Sequence, residues 1–162
     1  MAENPARQLD ETESFDRLFA LVKEAVFRVT GLRRAGLSLG LADLPPGIAA
    51  YHPFASNAIV LNRALLKAVN KVAKSKREVN AFLFVVLMHE YLHSLGILEE
   101  KQVRPLVQSI CAKFLGEDHP ASEMAKRSLY EIYPGLLRHL EYTGPDVELV
   151  KDFDRSTLTY LG

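Results

Sequence analysis

The sequence is short of the features that most quickly place a chain in a class. It has one cysteine, Cys111, so no intrachain disulfide can staple it, which fits a reducing compartment. Neither sign of charge is in excess: 20 Lys and Arg balance 20 Asp and Glu, which removes any global pull toward nucleic acid or an acidic membrane. The only basic cluster, Lys71, Lys74, Lys76 and Arg77, reads as a solvated helix end and loop rather than a nucleic-acid patch. No long hydrophobic run is present. The longest, AFLFVVLM from Ala81 to Met88, is far too short to cross a bilayer. The opening MAENPARQLDETESF is polar and lacks the apolar segment of a signal peptide. No repeat, low-complexity tract or domain boundary interrupts the chain. These absences predict one cytoplasmic domain over residues 1–162, flexible over 1–12, with no nucleic-acid and no membrane partner.

Hydrophobic spacing supplies the elements. Phe15, Leu18, Phe19, Val22, Val26 and Val29 recur at helical intervals, between a capping Ser14 and a terminating Gly31. Leu37, Leu39 and Leu41 alternate as in a strand, and NAIVLN, from Asn57 to Asn62, reads as a second strand. The segment between them, with Pro45, Pro46, Gly47 and Pro53, reads as turns. A helix follows with Leu65, Leu66, Val69 and Val72 on one side. The next segment, SKREVNAFLFVVLMHEYLHSLG, predicts a longer helix. Ser75 and Glu78 form its expected capping box and Gly96 its stop, and a middle that is apolar all round places it in the core. Further helices are expected from about Glu99 to Leu115 and from about Ala121. VELVKDF near the end fits a strand or a helix. The class is therefore α+β, mostly helical, with a small sheet beside the buried helix.

That helix ends in LMHEYLHSLGILEE, residues 87–100. His89 and His93 are four residues apart, about 6 Å along one helix face, so two imidazole nitrogens can converge on one ion. Glu90 stands beside the pair without being forced to bind. A carboxylate there can take a proton from an activated water and return it to a leaving amine. This is the physical content of H-E-x-x-H on a helix, and it predicts one zinc ion per chain. The bland alternative is a pair of core histidines beside a surface glutamate.

HEYLHSLG resembles the active-site helix of the zincin metallopeptidases, and NAIVLN resembles the edge strand that runs above that helix in small zincins. The resemblance covers residues 57–99. It implies a zincin-like fold, a peptide or protein substrate paired to the edge strand by its backbone, zinc held by His89 and His93, and Glu90 as general base. The alternative is an interaction protein of the same fold whose zinc is structural or whose site is autoinhibited.

Two candidates compete to be the third ligand. The spacing H-E-x-x-H-x-x-G-x-x-E resembles the metzincin pattern and points to Glu99, although that pattern usually has His or Asp there and no Met-turn can be identified. His119, in the loop GEDHP, is the rival. Glu100, Glu123 and Glu131 are weaker candidates. Around the motif, Tyr91 reads as core and His52 as a residue whose loop can cross the cleft. Tyr130, Tyr133 and Tyr142 are candidate donors to an oxyanion. Cys111 reads as a buried small hydrophobe, and Asp10 and Glu11 as a candidate plug for the metal.

Overall fold

The structure, a computed structural model, describes residues 4–141 and 147–154. It is an α+β fold in which seven α-helices and a 3₁₀ turn accompany a four-stranded mixed sheet among the described residues. The helices are α1 (Pro5–Glu11), α2 (Phe15–Thr30), α3 (Arg63–Val72), α4 (Lys76–Ser94), α5 (Glu100–Leu115), α6 (Pro120–Lys126) and α7 (Leu129–Ile132). The strands are β1 (Ser38–Ala42), β2 (Ala50–Tyr51), β3 (Ala58–Asn62) and β4 (Glu148–Val150). Among the described residues, no helix is long and apolar enough to cross a membrane.

Helix α4 is the centre of the molecule. Phe84, Leu87, Met88, Tyr91 and Leu92 are wholly buried, and α1, α2, α5 and α6 all pack on it. A helix surrounded in this way must be apolar on every side, as its sequence is. Pro5–Glu11, within the segment expected to be flexible, instead form α1. Asn4 caps it by accepting a hydrogen bond from Ala6 N–H, and Leu9 is fully buried. Asn80 of α4 donates to the carbonyls of Leu9 and Thr12, both at 2.9 Å, so the helix end is held by a buried amide. The signal was a single leucine in a polar segment, too little to establish a period.

The expected capping box of α4 does not form. Ser75 makes no side-chain cap bond, and Glu78 accepts a hydrogen bond from the Tyr133 hydroxyl instead. A tertiary partner has taken the carboxylate that local logic gave to the helix start. The stop at Gly96 does form. Gly96 has φ +98°, and the N–H groups of Gly96 and Ile97 bond to the carbonyls of His93 and Leu92 at 3.0 and 3.2 Å. That pairing is a Schellman turn, and its left-handed position suits glycine.

The sheet order is β2-β3-β1-β4, with β1 and β3 parallel and the outer pairs antiparallel. NAIVLN therefore is not the edge strand that the zincin resemblance led one to expect. β3 lies between β1 and β2, and the edge nearest α4 is the two-residue β2. β2 falls in the segment read as turns, where two residues cannot display an alternation. Asn62, at the end of β3 and fully buried, fixes this region. Its side chain caps α3 by accepting from Leu65 N–H. It also accepts from Leu44 N–H and donates to the carbonyls of Leu44, Pro45 and Ile48. One amide thus satisfies the turning backbone that leads into β2. VELVKDF contributes β4, the strand alternative, followed by a buried Phe153.

Candidate metal centre

The last turns of α4 carry the candidate site. The imidazole rings of His89 and His93 lie with centroids 4.9 Å apart. Each turns its Nε2 to the same carboxylate, that of Glu100 in the first turn of α5, at 3.0 Å from His89 and 2.7 Å from His93. Among the described residues this is the only group of three or more His, Cys, Asp or Glu with ligand atoms close enough to share an ion.

The Schellman turn builds this arrangement. It reverses the chain after α4 so that α5 begins beside the two histidines. It also delivers the carbonyl of Ile97 to His93, whose Nδ1 lies 2.9 Å from it. A carbonyl oxygen only accepts, so Nδ1 carries the hydrogen and a neutral ring presents its lone pair at Nε2. Two electron-pair donors, His93 Nε2 and a Glu100 oxygen, then face each other at 2.7 Å. Such a contact needs a cation between or upon its members, either a proton or a metal ion. A carbonyl behind a histidine is also the usual way to fix the tautomer of a metal ligand.

The donor set suits zinc. Tetrahedral coordination with bonds of about 2.0–2.1 Å puts neighbouring donors about 3.3 Å apart. Seating an ion thus requires Glu100 to withdraw from His93 by roughly half an ångström from the hydrogen-bonded distance. Its side chain is half-exposed and free to do so.

Glu90 is buried, in contrast to Glu100. Its carboxylate accepts a hydrogen bond from the backbone N–H of His52, just beyond β2. Burial, and then the charge of Glu100, push the Glu90 carboxyl up to about 8, against the pull of that hydrogen bond. Burial also lowers the pKa of His89, with Glu100 opposing it. For Glu100, burial acts upward, but hydrogen bonds and charge from His89 and His93 outweigh it and leave the pKa lowered. These surroundings disfavour the charged form of Glu90. A bound dication reverses that local balance.

His52 itself bonds through Nδ1 to the Ala58 carbonyl at 2.8 Å, so its backbone, not its ring, serves the site. Arg34 closes the frame. Its guanidinium donates to the carbonyl of Ser94 at the end of α4, to the carbonyl of Ser56, and to Asn57 Oδ1, at 2.8, 3.0 and 2.9 Å. Its backbone N–H donates to the hydroxyl of the buried Tyr91 at 2.9 Å. Arg34 and the backbone groups of His52 and Ile97 leave no motif in a sequence, and sequence reasoning missed them as parts of the site.

The remaining candidates are placed elsewhere. Glu99 is the N-cap residue of α5, and its carboxylate lies 3.7 Å from Lys101. His119 is buried at the start of α6. Its Nδ1 accepts from Ala121 N–H at 3.0 Å and its Nε2 meets Asp10 at 2.7 Å, so both nitrogens are engaged in holding α6 to α1. Neither of the two favoured third ligands belongs to the cluster; the weaker candidate Glu100 does. Glu123 and Glu131 pair with Arg127. The hydroxyls of Tyr130 and Tyr133 donate to the Pro46 carbonyl and to Glu78, while Tyr142 lies outside the described residues. Asp10 pairs with Arg77 and His119, and Glu11 with Arg7, so neither plugs the site. Cys111 is buried as expected, and burial pushes its thiol up to about 12.

Comparison of the chain with protein-family models, with curated proteins and with solved structures finds no match.

Proposed function

We propose that the protein is a zinc-dependent peptidase of zincin type, with His89, His93 and Glu100 as ligands and Glu90 as general base. The observation that carries this reading is the convergence of His89 Nε2, His93 Nε2 and the Glu100 carboxylate, with the Ile97 carbonyl fixing the tautomer of His93. Three protein donors with an open fourth position are the usual catalytic set, whereas structural sites are closed by four. A zinc ion in that seat supplies Lewis acidity toward a water and a substrate carbonyl. Glu90 is one residue from His89, buried, and already tied to the strand edge beside which a peptide would lie. It takes the proton of the attacking water on its carboxylate and returns it to the leaving amine. The proton is conserved between the two steps, so no other acid is required.

The test joins metal content to activity. Protein purified without chelator should hold about one zinc per chain by elemental analysis and should cleave unstructured peptides. His89→Ala and His93→Ala should each lose the metal. Glu90→Gln should keep it and lose hydrolysis by a factor of at least about 100, because an amide of nearly the same shape cannot carry the proton. Protein that neither contains nor takes up zinc would sink the metal reading. Loss of zinc in Glu90→Gln would make Glu90 a ligand or a structural partner rather than a base.

A further inference from the structure

Three large apolar side chains stand exposed within seven residues around β2: Ile48 at 41%, Tyr51 at 42% and Phe54 at 81%. Large apolar groups gathered on one surface segment mark recognition sites more often than lone exposed ones do. This segment is fastened to the metal-bearing end of α4 at two points. The N–H of His52 holds the Glu90 carboxylate. The Ser56 carbonyl and Asn57 side chain are linked through Arg34 to the carbonyl of Ser94. The turn over Pro53–Ser56, closed by a hydrogen bond from Ser56 N–H to the Pro53 carbonyl at 3.0 Å, thus runs alongside the part of α4 from Glu90 to Ser94, with Phe54 in its middle.

The backbone of the same segment also turns groups away from the sheet. Asn62 N–H bonds to the Ala49 carbonyl and Tyr51 pairs with Val60, so the alternation of an antiparallel ladder turns Ala50 and His52 outward from the sheet. The outward N–H of His52 on Glu90 agrees with that phase. An outward-turned strand edge asks for an extended chain, and the exposed side chains beside it ask for apolar ones.

We infer that Ile48, Tyr51 and Phe54 form the recognition surface of this site, and that its substrate is an extended polypeptide segment with a large apolar side chain next to the bond to be cut. The inference rests on the peptidase reading for its catalytic half and on the surface itself for its binding half. The segment is continuous with the metal centre, which is why a substrate chain is its occupant rather than a second copy of the protein. Phe54 is the specificity residue. Being so exposed, it contributes little to folding, and its replacement by serine should leave fold and zinc content intact.

The experiment compares zinc-loaded wild type, Phe54→Ser and Tyr51→Ser on paired peptides that differ only in Leu or Phe against Ser or Asn at one position. Binding of the same peptides to zinc-loaded Glu90→Gln, with and without Phe54→Ser, is measured by fluorescence anisotropy. Circular dichroism and metal content check the fold. Wild type should prefer the apolar peptides. Phe54→Ser should raise KM for them about tenfold with kcat little changed, and should erase the preference. Cleavage with no apolar preference, or a preference untouched by both substitutions, overturns the inference and leaves the peptidase reading standing. Binding of apolar peptides that depends on Phe54, with no cleavage by wild type, supports the surface and overturns the peptidase reading. Neither binding nor cleavage overturns both. A concentration-dependent dimer abolished by Phe54→Ser, with peptides unaffected, gives the surface to a second copy and overturns the assignment.

Discussion

Glu99 and Glu100 differ by one residue of phase at the start of a helix. Glu99 has extended backbone, with φ −84° and ψ 128°, and stands outside α5, whereas Glu100 is its first helical residue and faces the two histidines. Alanine at the two positions should therefore act very differently. Glu100→Ala should weaken zinc binding by at least about 100-fold in competition with a chelator, and Glu99→Ala by less than about threefold. His119→Ala should leave zinc affinity alone and lower stability by roughly 2 kcal/mol in urea, because it strips Asp10 and the Ala121 N–H of a buried partner. A large loss of zinc affinity in His119→Ala beside a neutral Glu100→Ala would refute this ligand set. His89, Glu90 and His93 were legible in the sequence because one helix fixes their relative phase. The third member of the cluster was not, because it lies beyond a turn whose exact length decides which of two adjacent glutamates faces the histidines.

At the scale of elements, the turn after α4 does two jobs with one glycine. It ends the helix and it aims the Ile97 carbonyl at His93. A Cβ added to Gly96 would meet nothing within 4 Å, so the cost of Gly96→Ala is the strain of a positive φ alone, about 1–2 kcal/mol. The chain can relieve that strain by reopening the turn, which moves Ile97 away from His93 Nδ1 and Glu100 away from both rings. Zinc affinity should fall about tenfold in Gly96→Ala, the scale of losing a ligand's supporting hydrogen bond. Titration against a chelator reads it directly, and wild-type affinity at reduced stability would show that the turn stops the helix without orienting the ligand. The stop itself was legible, since a glycine after a periodic segment has one common use. Helices α2 and α5 and strand β1 were legible because their apolar side chains show a period, and α4 and β3 because theirs form unbroken runs. Helix α1 and strand β2 were not, because one offers a single buried leucine and the other is two residues long. The capping box at Ser75 and Glu78 was misread for a different cause. Tyr133, 55 residues beyond Glu78 in the chain, competes for the same carboxylate, and a local pattern carries no information about so distant a partner.

At the scale of the whole molecule, one buried ion pair joins the end of the described chain to its first half. Lys23 of α2 meets Asp154 at 2.9 Å with side-chain exposures of only 10% and 4%. The second carboxylate oxygen of Asp154 accepts from Leu37 N–H, just before β1, at 3.1 Å. Next to it, Phe153 stacks on Phe19 with ring centroids 4.4 Å apart, and Tyr91 of α4 meets the same Phe19 edge-on. The tail is thus bound to α2, to β1 and, through one aromatic ring, to the helix that carries the site. The two partners of the ion pair are not equivalent. Asp154→Ala deprives a buried ammonium of this carboxylate and also strands the Leu37 N–H, whereas Lys23→Met leaves Asp154 able to take a proton and keep its bond to Leu37. Breaking a buried pair from one side costs about 3–5 kcal/mol, and the upper end belongs to Asp154→Ala, the lower to Lys23→Met. The double change Lys23→Met with Asp154→Leu removes both desolvated charges and adds apolar contact, so it should lie closer to wild type than Asp154→Ala does. Urea midpoints of wild type, Lys23→Met, Asp154→Leu and the double variant form the cycle, with Asp154→Ala measured beside it. If the double variant is as unstable as the sum of the single ones, the pair makes no coupled contribution, and the hold on the tail comes from Phe153 and the pairing of β4 with β1.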